Sequence, residues 1–128
     1  MRSLALLAAL LVALPAAAPG AAAFTAENGL IVNRGAAGGF EVPWRGSARV
    51  TSFWCAAGDY VIRGLRMSPS TRIWRVSEPP RRAGEAITFA LTPEGAARRS
   101  GLLILLGPEN GVTAAHAASF CEFDAQRR

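Results

Sequence analysis

Two cysteines, Cys55 and Cys121, stand 66 positions apart in a chain of 128 residues. If they bond, they close half of the chain into one loop, and any fold that holds them apart is excluded. Bonding depends on the compartment, and the first 23 residues bear on that. Met1-Arg2-Ser3 is a short positive start, and Leu4 to Leu14 is an unbroken apolar run of 11 residues. Pro15, Pro19 and Gly20 then interrupt any continued helix, and Ala21-Ala22-Ala23 supplies a small-x-small cleavage pattern. This is the layout of a secretory signal peptide, with the cut expected after Ala23. A membrane-spanning helix needs about 20 apolar residues without such breakers. No cysteine lies near the cut to carry a lipid. The expected product is one small domain, residues 24–128, periplasmic or secreted, with no transmembrane segment in the mature form.

In an oxidising compartment an even pair of cysteines in a small domain reads as a disulfide. Closing a loop of this size is worth roughly 4 kcal/mol in the chain-entropy account. A metal site is not expected, because neither cysteine has a CxxC partner and His116 is the chain's single histidine. No cofactor motif is present either: phosphate loops, haem-attachment CxxCH and calcium loops are all missing.

The pattern along the chain is that of a small α+β domain. Leu30-Ile31-Val32 and Phe40-Glu41-Val42 read as a hairpin joined by the glycine-rich stretch Arg34 to Gly39. From Thr51 the period becomes helical, with Trp54, Ala57, Val61 and Leu65 on one face and Thr51 or Ser52 as N-cap. Gly58 inside this helix costs about 1 kcal/mol relative to alanine, so a close approach of another backbone is expected there. Asp59 and Arg63, four apart, are spaced for an ion pair. Met67 to Ser70 should end the helix. Strands are expected over Thr71 to Ser77 and Glu85 to Leu91, the second alternating cleanly. Thr92-Pro93-Glu94 has the form of a cap followed by proline, opening a turn or two of helix toward Arg99. Leu102 to Leu106 reads as a central strand, and Pro108 to Gly111 as a turn. Between 113 and 121 both periods fit; alanine content favours a helix capped by Thr113. The expected architecture is an antiparallel sheet of four to five strands with one main helix and a shorter C-terminal helix, tied by a single disulfide.

Every one of the 14 cationic residues is arginine, against 9 acids. The densest stretch holds Arg63, Arg66, Arg72, Arg75, Arg81 and Arg82 with Glu78 as its single acid. These six are the candidate anion contacts, since guanidinium forks fit phosphates and carboxylates. Ordinary solvation of a small surface is the preferred account of such scattered arginines. No nucleic-acid motif accompanies them, and nucleic acid is not an expected partner.

Catalytic groups are sparse. His116 is the one side chain suited to acid–base work near neutral pH. Ser119 with Glu122 or Asp124 lies nearby in sequence, but no nucleophile elbow or oxyanion signature accompanies them. Asp59 with Glu41 or Glu85 could form a carboxylate pair, though Arg63 is its closer claimant. The leader, the helix Phe53 to Tyr60, the strand Arg72 to Val76 and the pair Phe120-Cys121 together resemble small exported bacterial proteins without an assigned activity. That resemblance implies export and no catalytic residue. The reading is therefore a non-catalytic exported domain that binds a protein or envelope component, as an accessory factor or inhibitor. The alternative is an arginine-rich module for polyanions or acidic surfaces.

Overall fold

The computed structural model describes residues 23–46, 48–102 and 111–127. The leader, the strand expected from Leu102 to Leu106 and the turn at Pro108 to Gly111 lie outside these residues, except for their ends Ala23, Leu102 and Gly111.

Strands β1 (Phe24–Thr25), β2 (Ile31–Arg34), β3 (Phe40–Val42), β4 (Arg72–Arg75), β5 (Ile87–Ala90) and β6 (Val112–Thr113) form one sheet in the order β1-β2-β3-β5-β4-β6. All neighbours are antiparallel. The hairpin β2–β3 pairs Arg34 with Phe40 across the glycine-rich turn, as its sequence predicts. Among the described residues the sheet has six strands, against the expected four to five. The additions are the two-residue strands β1 and β6, too short to carry any periodicity.

One face of the sheet is apolar. Val32, Phe40, Val42, Ile73, Ile87 and Phe89 are buried there, and Phe40 stands opposite Phe89 in the register. Helix α1 (Val50–Asp59) lies over this face. Ser52 through Val61 are all buried, so α1 is covered on every side, as its run of aromatic and small residues requires. Trp54 meets the Phe89 ring edge-on at 4.9 Å, and Tyr60 meets Phe40 at the same distance. A π-turn, Tyr60–Gly64, ends the helix before Met67.

Helix α2 (Ala114–Ala125) seals the other side of α1. Its buried stripe is Ala114, Ala117 and Cys121. Thr113 caps it by accepting a hydrogen bond from the His116 amide at 3.2 Å, which resolves the ambiguous segment as helix. The Cys55–Cys121 disulfide joins the two helices, with the Cα atoms 4.9 Å apart. One turn away, a Cβ on Gly58 would sit 2.7 Å from the Ala114 carbonyl oxygen and 2.9 Å from the Ala117 carbonyl carbon. Glycine is required there because α2's backbone occupies the space.

Two expectations are corrected. Neither Thr51 nor Ser52 is the N-cap of α1: the helix starts one residue earlier, after Arg49, with no side-chain cap. The Ser52 hydroxyl instead donates to the Asp124 carboxylate at 2.9 Å. Asn28 donates to the other oxygen of Asp124 and to the Ser52 carbonyl, both at 2.9 Å. The negative charge that favours a helix N-terminus thus comes from the far end of α2. The second correction concerns Thr92 to Arg99, which form turns rather than helix. The Ala96 amide closes a turn on Pro93, and the next amide, of Ala97, donates to the Arg75 carbonyl at 2.8 Å. Pairing with β4 has displaced helix propagation.

Candidate functional site

The sheet's second face is the open one. Side chains alternate along a strand, so Glu41, Thr88 and Ala90 point away from α1, and all three are only half-buried. Val76 continues this face, because its amide donates to the Thr88 carbonyl at 2.8 Å beyond the end of β4. A groove of about 460 Å³ lies here. Its floor is Glu41, Val76, Thr88 and Ala90; one wall is the turn containing Gly35, Ala36 and Ala37, and the other contains Thr92 and Glu94. Among the described residues, Glu41 and Glu94 are its only charged lining residues. A chain with net charge +5 has placed two carboxylates on this opening.

The six candidate arginines do not converge. Asp59, 5% exposed, takes both the Nε and Nη2 donors of Arg63 and also accepts from the Glu27 amide at 2.8 Å. The ion pair read from the i, i+4 spacing is therefore present, and Arg63 also lies over the Phe24 ring. Its hydrogen bond to Asp59, with that carboxylate's charge, holds the guanidinium above its ordinary pKa. Arg66 and Arg72 are exposed. Arg81 stacks over the Phe53 ring at 5.0 Å and donates to the carbonyls of Arg82 and Glu85. Arg82 is exposed in the same turn, its amide bonded to the Glu85 carboxylate. Phe53 in α1 and Arg63 in the π-turn that follows it are separated by roughly 15 Å at helical rise.

Arg75 departs furthest from expectation: it is 3% exposed, on the α1 side of the sheet. Nε donates to the Ser77 carbonyl at 2.6 Å, and Nη1 to the Ser100 carbonyl at 3.3 Å. Burial lowers its pKa from the ordinary value, with Arg81 adding to that effect and Glu78 opposing it.

The groups around His116 do not form a relay. The imidazole is stacked on Phe120, and the Ser119 hydroxyl donates to the His116 backbone carbonyl at 2.6 Å. Asp124 is held by Ser52 and Asn28. Asp59 lies on the covered side of the sheet, whereas Glu41 lies on the open side. Among the described residues no three His, Cys, Asp or Glu come together in a way that could hold a metal ion. Among them, too, no helix is long and apolar enough to cross a membrane.

Comparison with known protein families, with characterised proteins and with solved structures found no match.

The sequence reading missed the groove. The clean alternation of β5 marked Thr88 and Ala90 as an outward face, but the walls come from two loops distant in the chain. It also grouped Arg75 with surface arginines, although Ile73 and Arg75 share strand parity.

Proposed function

We propose that residues 24–128 act outside the cytoplasm as a non-catalytic binding module for a protein or envelope component. The groove over Thr88 and Ala90 receives an extended segment of that partner. The observation that carries this reading is the groove's lining, in which Val76, Ala90 and the alanines of the glycine-rich turn supply apolar surface and Glu41 and Glu94 are the only charges among the described residues. Such a lining fits a segment with apolar residues and a basic one, and repels polyanions. Export is supported by the leader, by the Cys55–Cys121 disulfide and by the position of β1, which begins at Phe24, immediately after the expected cut.

The test is affinity capture from the exported fraction with the wild-type protein, Ala90→Arg and His116→Ala. A partner held by wild type and His116→Ala but lost with Ala90→Arg supports the groove. A partner held equally by all three contradicts it. Mass spectrometry of the exported protein should find its N-terminus at or within a few residues of Phe24; an intact Met1 on it would contradict export by cleavage.

A further inference from the structure

The open-face groove changes character along β5. Residues two apart on one face of a strand stand about 6.8 Å from each other. At Thr88 the row across the sheet carries full side chains, with Glu41 opposite it on β3 and Val76 beside it on the β4 side. One pleat further on, at Ala90, the row is nearly bare. The register, carried one step beyond the Phe40–Phe89 pair, sets Gly39 beside Ala90. A Cβ on Gly39 would come 3.1 Å from the Phe89 carbonyl oxygen, so no side chain rises there. On its other side Ala90 pairs with Trp74, whose ring lies against Gly111, toward β6 and away from the groove. The result is a hollow over Ala90 next to a charged row at Thr88.

The walls set the direction of an occupant. The turn of Ala36 and Ala37 leads into β3 and Thr92 follows β5, so both walls flank the Ala90 end and a bound segment runs along β5 between them. The two carboxylates differ in how they are held. Glu41 lies in β3, paired on one side with Asn33 and on the other with Thr88. Glu94 is exposed in the turn that the Ala96 amide closes on Pro93. The chain has 14 arginines against 9 acids. Among the described residues neither Glu41 nor Glu94 has an ion-pair or hydrogen-bond partner, whereas Asp59 is claimed by Arg63.

Resting on the groove as the binding surface, we propose that its occupant is an extended peptide segment with a basic residue two positions from a bulky apolar one. The apolar side chain fills the hollow over Ala90, and the cation meets Glu41, the residue that selects it. The spacing follows from the period of two: side chains two apart in an extended segment share one face and match the pleat from Ala90 to Thr88, whereas adjacent ones point to opposite faces. An acidic residue in place of the basic one meets a carboxylate fixed on a central strand.

The test is calorimetric titration of the oxidised exported protein with the capped peptide Gly-Ser-Arg-Ser-Leu-Ser-Gly and three relatives. One has glutamate for the arginine, one has alanine for the leucine, and one has the arginine moved next to the leucine. Each change should weaken binding by roughly fivefold or more. Glu41→Arg should reverse the preference for arginine over glutamate. Glu41→Gln should erase it, and keeps the test open if Glu41→Arg does not fold. Glu94→Gln should reduce it less than Glu41→Gln does. Equal binding of the arginine and glutamate peptides, no loss on moving the arginine, a preference unchanged in the Glu41 variants, or no binding of the first peptide at millimolar concentration would each overturn the proposal. Ala90→Arg separates this motif from the groove reading beneath it. Binding that ignores charge and spacing but is lost with Ala90→Arg refutes the motif and leaves the groove, whereas binding that survives Ala90→Arg refutes both.

Discussion

The two faces of this sheet are made by the same strands and differ in what can be changed on them. On the covered face Val42, Ile73 and Ile87 have no exposure at all, and α1 above them is itself clamped by α2 through a disulfide and a glycine contact. On the open face Thr88 and Ala90 are half-buried between loops, and Val76 is 36% exposed. Stability is concentrated on one side. The other side can therefore carry a binding surface whose residues answer to a partner rather than to the core, since surface changes seldom move stability by more than about 0.5 kcal/mol.

The disulfide should give the largest effect that breaks this contrast from the covered side. Cys55→Ser or Cys121→Ser should cost up to roughly 4 kcal/mol and lower Tm by roughly 15 °C. Thiol titration of the denatured, unreduced wild type should find no free thiol. Next is Gly58→Ala, where the new methyl meets α2's backbone, which cannot swing aside as a side chain would. A loss of about 3 kcal/mol in chemical denaturation is expected; no loss would mean the helices can move apart. Asp124→Ala removes the acceptor of Ser52 and Asn28 beside the uncapped start of α1, and should cost about 1 kcal/mol. On the open side Thr88→Arg and Ala90→Arg should shift denaturation midpoints by no more than about 0.5 kcal/mol. A large loss from either would make this face part of the core.

What could be read from the chain divides along the same line. The α1–α2 clamp was legible because its signals are local: the aromatic and small-residue period around Cys55, a glycine in a helix, Thr113 ahead of an alanine run, and two cysteines with no other partner. Asp59–Arg63 was legible for the same reason, as a pair within one helix. Arg75 was not, because either parity of β4 offers apolar residues, Ile73 on one face and Trp74 with Val76 on the other. The sheet chose the face of Ile73, and Arg75 went inward with it. The start of α1 was misplaced by one residue because its charge partner, Asp124, is 72 residues beyond Ser52. The helix expected after Pro93 lost to a single tertiary bond from Ala97 to β4. The groove depends on two loops meeting across three strands, and no local pattern encodes that.

The claim that the open face is the working surface is tested most directly by crosslinking in the producing cell. A photo-crosslinking amino acid is placed at Thr88 in one variant and at the exposed Glu122 of α2 in another. Irradiation should yield a discrete adduct from position 88, abolished by adding Ala90→Arg, and none from position 122. Adducts from position 122 alone, or equally from both, would contradict the account.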